Sequence, residues 1–205
     1  MTRAINRWAM GLALFLCAFS GLAATTETEL VRISWAPDLS VTWDMFQGAP
    51  PPNASYINEA AAIHMTIGWH VTHSLASANG TTWTCQLSSI TVTNTMEPAL
   101  SWAVPGTSDL GLLRHEQLHF DLSEVYRRKL ECQLLALGCF TSATQQGAVD
   151  LLNEALTQTT DDVLQKLAEM TTLYDSQTAH SHNAAEQARW DALITAWLAA
   201  PATAP

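Results

Sequence analysis

The hydrophobic pattern of the chain changes near residue 105, and this change constrains the fold more than any other feature. Before it, the stretches "AAIHMTIGWHVTHSLA" and "TTWTCQLSSITVTNTM" are rich in Thr, Ile, Val and Trp, which favour β-strands. After it, apolar residues recur at intervals of three and four, which is typical of amphipathic helices. The sequence therefore predicts an α+β fold in which an antiparallel sheet half is followed by helices.

The β-like half covers residues 25–104. Besides the two stretches quoted above, "ELVRISW" predicts a strand by its alternation, and "LSVTWDMFQGAPPPNAS" predicts another strand that runs into a Pro-rich turn. The tripeptide Ala78-Asn79-Gly80 separates the two longest candidates, and it predicts a hairpin turn between them.

The helical half covers residues 105–199 and contains three candidate helices. Ser108 or Asp109 can cap the first, whose apolar period runs over residues 110–137 and stops at a glycine. The second is predicted for residues 144–173. Asn183, with a glutamate three residues later, predicts the start of the third.

The N-terminus has the layout of a secretory signal peptide. Arg3 and Arg7 are followed by an apolar run over residues 8–19 and then by small residues, which predicts cleavage after a leader of residues 1–24. The apolar run is shorter than the roughly 20 residues that a membrane span needs. We therefore expect a periplasmic or secreted protein with one domain, residues 25–199, and a disordered tail, residues 200–205.

The charge balance argues against two classes of partner. The chain carries 9 basic and 19 acidic residues, and loss of Arg3 and Arg7 with the leader changes the net charge from −10 to −12. Nucleic acid and anionic membrane surfaces attract basic proteins, so neither is an expected partner.

Three cysteines follow the leader. Export permits a disulfide bond, and an odd number leaves one thiol over. Cys132 and Cys139 are too far apart to bond along a continuous helix, although Gly138 is expected to end the helix between them. We favour a bond between Cys85 and Cys139.

The first predicted helix carries a candidate metal site in "LLRHEQLHFDLSEVYRRKL". His115 and His119 are about 40° out of alignment and about 6 Å apart along a helix, so both imidazoles can reach one ion. Zinc accepts neutral histidine nitrogens, and a catalytic zinc keeps one position open. Glu116 lies beside the metal, where it can take a proton from a metal-activated water as a general base. The pattern is the His-Glu-x-x-His motif of zinc metallopeptidases.

A catalytic zinc needs a third protein ligand, and the candidates lie in "LYDSQTAHSHNAAEQARW". His180 and His182 are the histidine options and Asp175 is the carboxylate option, although Asp175 can also orient a ligand histidine from behind. Tyr174, or with less support Tyr126, is a candidate donor to the oxyanion of a transition state.

Three motifs resemble one known family in order and spacing. "VTWDMFQGAPPP", "LRHEQLHFDLSEVYRRKL" and "YDSQTAHSHNAAEQARW" are similar to the DUF922 family, described as secreted zinc-dependent proteases of bacteria within the zincins. The resemblance implies a zincin-like domain and favours His180 as the third ligand. It also implies strand addition of an extended peptide above the helix with the motif. The family often has glycine where this chain has Leu118 and Ser181.

The sequence thus predicts a zinc metallopeptidase that cleaves peptide or protein substrates, with Zn²⁺ on His115, His119 and His180 and with Glu116 and Tyr174 in catalysis. One alternative is an exported zinc hydrolase that acts on a non-protein amide such as that of the cell wall. A second is a module that binds zinc without catalysis, which Glu116 argues against because a structural site needs no base.

Overall fold

A computed structural model describes residues 31–52 and 59–205 of the chain. The predicted signal peptide lies outside these residues. Within them the fold is mixed α/β: antiparallel strands lie mainly in the first half and three long helices in the second, as the hydrophobic pattern predicted. None of the helices in the described residues is long and apolar enough to cross a membrane.

The larger sheet is built around a long hairpin. Strands β3 (Met65–Ser77) and β4 (Trp83–Met96) pair antiparallel along their whole length, with an irregularity after Thr72. The predicted turn is confirmed, because Gly80 has a φ of 74° and Asn79 accepts two backbone N–H groups through its side chain. Two short strands pair with opposite ends of β4: β1 (Ile33–Ser34) and β6 (Phe140–Ser142).

A separate two-stranded sheet consists of β2 (Ala61–Ala62) and β5 (Trp102–Ala103). The strand predicted from "LSVTWDMFQGAPPPNAS" is wrong for its described part, residues 39–52. That part holds a short 3-10 helix, Trp43–Met45. The N–H of Val41 bonds the side chain of Gln117 (2.7 Å), so the backbone there is satisfied by a helix side chain and needs no neighbouring strand.

Helix α1 (Leu110–Leu135) lies at the centre of the molecule. Asp109 caps it by accepting the N–H groups of Gly111 and Leu112, which confirms one of the two predicted caps. The helix packs against β4 on one side and against the two later helices on the other. Every residue from 115 to 126 is buried as a result.

The two later helices are α2 (Gln145–Thr178) and α3 (Ala184–Ala199). Thr144 caps α2 through a bond from Gly147 N–H, and Asn183 caps α3 through a bond from Glu186 N–H. Both predicted starts are confirmed. However, α2 continues five residues beyond its predicted end at Leu173, and this difference affects the candidate site.

The expectation of a disordered tail is not what the structure shows. Residues Pro201–Thr203 form a 3-10 helix, and Ala204 is buried against α1. Lys129 donates to the carbonyl groups of Ala204 (2.8 Å) and Pro205 (2.6 Å). The small, Pro-containing tail is ordered because α1 supplies donors for its carbonyl groups.

The expected disulfide bond is also absent from the described residues, where Cys85, Cys132 and Cys139 are all free. Cys85 is fully buried in β4, whereas Cys139 is exposed and its thiol donates to Gln86 (2.9 Å). The strand register brings Cys85 opposite Phe140, so Cys139 lies one residue beyond the position that faces Cys85.

Candidate metal centre

The two motif histidines lie side by side on α1, as the helical spacing predicted. Their Nε2 atoms are 3.1 Å apart, and the rings meet edge to face. His115 is 2 % exposed and His119 is 9 % exposed. Two buried imidazoles therefore present nitrogens to one small volume.

Asp175 completes this group from the last turn of α2. Its Oδ1 lies 3.2 Å from Nε2 of His115 and 2.9 Å from Nε2 of His119. These three atoms, here called the ligand triangle, form the one group of potential metal ligands found in the described residues. The group could hold a metal ion.

The ligand triangle fits a tetrahedral metal ion. Ligand atoms held at about 2.0–2.1 Å from zinc in tetrahedral geometry are separated by about 3.3 Å, close to the three observed separations of 2.9–3.2 Å. Oδ1 of Asp175 is buried, and no described residue donates a hydrogen bond to it with acceptable geometry, despite the two short contacts. An ion between the three atoms would bind this oxygen, which otherwise has no hydrogen-bond partner. It would also bind Nε2 of His115 and Nε2 of His119, which cannot each donate a hydrogen bond to the other.

The electrostatics of the site favour the ligand forms of two of these residues. Burial opposes ionisation of Asp175, but its contacts with His115 and His119 outweigh burial and lower its pKa well below the usual range. Burial lowers the pKa of His115 despite the opposing contact with Asp175. A neutral imidazole and an ionised carboxylate are the forms that bind metal. Burial would also lower the pKa of His119, but Asp175 and nearby carboxylates raise it.

Glu116 is 2 % exposed and lies close enough to His119 and Asp175 for their charges to affect its pKa. Its Oε2 accepts the N–H of Ile63 (2.8 Å), the residue that follows β2. Burial raises the pKa of Glu116 to about 7, while His119 and the Ile63 N–H act in the opposite direction. The residue is therefore placed and tuned as a general base would be. The Ile63 contact involves only a backbone group, so no residue type in the sequence indicated it.

The predicted third ligand, His180, is outside the ligand triangle. It lies two residues beyond the end of α2, is half-buried, and donates its backbone N–H to the carbonyl of Asp175 (3.1 Å). His180 is near enough to His115 to lower its pKa. The structure thus favours Asp175, which the sequence left open as the carboxylate alternative.

The length of α2 explains why Asp175, and not the predicted His180, lies in the ligand triangle. The sequence predicted that the second helix ends at residue 173, which placed His180 in the segment before the third helix. The helix instead continues to Thr178, whose hydroxyl donates to the carbonyl of Tyr174 (2.7 Å). Asp175 is therefore held on a regular helix turn facing α1, and His180 falls after the turn. A continuous apolar period through residue 174 was the signal that could have shown this.

The expectation that Tyr174 donates to an oxyanion is not supported. The ring is fully buried and stacks on His115 with 4.5 Å between ring centres. Its hydroxyl donates to the backbone carbonyl of His115 (3.3 Å) and is thus already used. Burial raises its pKa above the usual range. Tyr174 orients the first histidine by packing, and Tyr126 is no closer candidate because its hydroxyl donates to Pro205 (3.1 Å).

Four other polar side chains of the described residues lie outside the ligand triangle. His182 is exposed after α2, and His70 and His73 are exposed on β3. Asp121 is buried, accepts bonds from Trp35 (3.0 Å) and Gln117 (2.9 Å), and is not part of the ligand triangle.

Comparison of the chain with protein families, with curated proteins and with solved structures finds no match. The resemblance to the DUF922 family therefore stays a prediction from three motifs.

Proposed function

We propose that this protein is a zinc-dependent hydrolase that cleaves peptide bonds, with zinc held by His115, His119 and Asp175. One observation carries the proposal: two imidazole nitrogens and one buried carboxylate oxygen lie 2.9–3.2 Å from one another. A buried glutamate on the same helix as the histidines is close enough to His119 and Asp175 for their charges to act on it. Two histidines and a carboxylate form a known ligand set of catalytic zinc, which leaves a position open for substrate or water.

When bound, zinc lowers the pKa of a water molecule and polarises a carbonyl group. Glu116 supplies the proton transfer. Its Oε2 is held by Ile63 N–H, so Oε1 is left to take the proton of the attacking water. In the metal-free protein, burial raises the pKa of Glu116 to about 7. Once protonated, the carboxyl group can return that proton to the leaving amine. The burial of both histidines excludes bulk water from the ligand side of the site.

A peptide is the favoured substrate because of strand β2. Among the described strands it pairs only with β5, and it leads directly into Ile63 beside Glu116. An extended peptide can add to such a strand through main-chain hydrogen bonds. A zincin-like fold, membership of the DUF922 family, and export to the periplasm or medium belong to this same proposal.

Metal content tests the ligand set. Purified protein is expected to bind one equivalent of zinc, and Asp175→Ala is expected to lose it. Asp162→Ala is the matched control, because Asp162 is an exposed carboxylate on the same helix, and it should keep zinc. Loss of zinc in His180→Ala, with zinc retained in Asp175→Ala, would show that the ligand predicted from the sequence is the correct one.

Activity tests the reaction. Wild-type protein loaded with zinc is expected to hydrolyse a mixture of unstructured peptides. Glu116→Gln should keep its zinc and lose turnover by about 100-fold or more, because it lacks the proton acceptor. A Glu116→Gln variant that cleaves as fast as wild type would contradict the role of Glu116. Release of amines from cell-wall material but not from peptides would favour the non-protein amide alternative.

A further inference from the structure

The segment that bonds Glu116 is itself held from its other side. Ile63 N–H points to Glu116 (2.8 Å), whereas the next N–H, that of His64, points to the hydroxyl of Ser101 (2.9 Å). Successive backbone groups of an extended chain point in opposite directions. Ser101 therefore lies opposite Glu116 across a single stretch of backbone.

Ser101 belongs to a turn formed by residues 97–101, which is firmly fixed. The Ser101 hydroxyl donates to the carbonyl of Glu97 (2.9 Å), and Glu97 N–H donates to the carbonyl of His64 (3.0 Å). Both backbone groups of His64 are thus bonded to the turn. Ser101 is fully buried and Glu97 is 5 % exposed, so water does not replace these bonds easily.

Three further hydrogen bonds hold the turn from outside. The carboxylate of Glu97 accepts bonds from Arg32 (3.1 Å) and Thr66 (3.1 Å). Gly48 N–H donates to the carbonyl of Ser101 (2.7 Å), and a Cβ atom at Gly48 would come within 2.9 Å of that oxygen. The turn is therefore packed against residues that leave it little room to shift.

We infer that Ser101 is a positioning residue, whose hydroxyl holds the Ile63–His64 backbone so that the Ile63 N–H fixes the carboxylate of Glu116 for proton transfer. The inference rests on the proposed function for its catalytic meaning. Without the hydroxyl, His64 N–H loses its buried acceptor, and the backbone can rotate away from Glu116. Misplacing a proton acceptor lowers kcat more than it weakens substrate binding.

Three variants test this inference by kinetics. Ser101→Ala, loaded with zinc, is expected to lower kcat roughly 10- to 100-fold with KM changed by no more than about twofold. Ser101→Thr keeps a hydroxyl and should recover part of kcat. Ser123→Ala is the matched control, because Ser123 is also buried and donates one hydrogen bond, to Asn94 (2.9 Å), and bonds neither His64 nor the turn. Wild-type kcat in Ser101→Ala overturns the inference.

A second measurement does not depend on turnover. Amide hydrogen exchange of Ile63 and His64, measured on the zinc-loaded protein, should be at least about tenfold faster in Ser101→Ala than in wild type and unchanged in Ser123→Ala. Equal exchange rates in Ser101→Ala and wild type would overturn the inference even in a protein that cleaves no peptide. If wild-type protein cleaves nothing but exchange responds as expected, the proposed function fails and the structural link stands.

Discussion

Three consecutive residues after α2 adopt left-handed backbone conformations, although none is glycine. Ala179, His180 and Ser181 have φ values of 49°, 50° and 76°. A side chain makes this region unfavourable, at a cost of about 1 kcal/mol or more per residue. Ser181 is one of the positions where the resembling family has glycine. This chain therefore has serine, in place of the glycine of the resembling family, at a position whose backbone conformation favours glycine.

Replacing Ser181 by glycine should stabilise the protein. Ser181→Gly removes the steric cost of the left-handed conformation and is expected to raise the free energy of unfolding by about 1 kcal/mol, measured by urea denaturation. Ser181→Ala keeps a Cβ atom and serves as the control, which should show no gain. A decrease in stability for Ser181→Gly would contradict the strain argument.

The raised pKa of Glu116 gives a pH dependence in the zinc-free protein. Its carboxyl has a pKa of about 7 in the folded chain and an ordinary value of 4.5, so the folded state binds the proton more tightly. This contribution is complete below pH 4.5 and is lost as the pH rises through 7. Between pH 5 and pH 8, wild type should therefore lose on the order of 3 kcal/mol more stability than Glu116→Gln. If the stability of the two proteins changed with pH in parallel, the raised pKa of Glu116 would be contradicted.

At the scale of elements, the helices were predictable because their starts depend on local chemistry. Asp109, Thr144 and Asn183 each cap a helix with their own side chain, and such caps can be read from a few neighbouring residues. The incorrect predictions concern segments whose conformation depends on residues that are distant in sequence. Val41 bonds Gln117 across 76 residues of sequence, and β6 exists only because it pairs with the far end of β4.

In the candidate site, too, some positions follow from local sequence and others depend on packing between distant elements. His115, Glu116 and His119 lie on one helix, so helical geometry alone brought them together. Asp175 reaches them from another helix, and its place depends on where α2 ends and how it packs on α1. Helix ends are poorly specified by local sequence, which is why the third ligand was left among three residues.

The cap of α1 can be tested separately from the metal site. Asp109→Ala removes the acceptor for Gly111 and Leu112 N–H and is expected to cost about 1 kcal/mol of stability. Asp109→Ser keeps an acceptor and should cost much less. Zinc content is expected to stay at the wild-type level in both variants, since the cap is six residues before His115. Loss of zinc in Asp109→Ala would show that the cap of α1 also affects the metal site.

At the scale of the whole molecule, residues 201–205 pack against α1 and contribute to its burial. Deleting residues 201–205 removes the buried Ala204 and the carbonyl groups that bond Lys129 and Tyr126. The deletion is expected to lower the free energy of unfolding by about 1–3 kcal/mol in thermal or urea denaturation. Pro205→Ala keeps the backbone carbonyl and should be nearly neutral. An unchanged stability after deletion would restore the expectation of a disordered tail.

The burial of twelve consecutive residues of α1, from 115 to 126, has a consequence for how this protein can vary. A helix at the surface has an outer side on which substitutions accumulate freely, but this stretch has none. The same three turns carry two of the three candidate ligands, His115 and His119, and the centre of the core. In a library of random variants, selection for folding alone and selection for metal binding alone should therefore deplete substitutions over the same dozen positions.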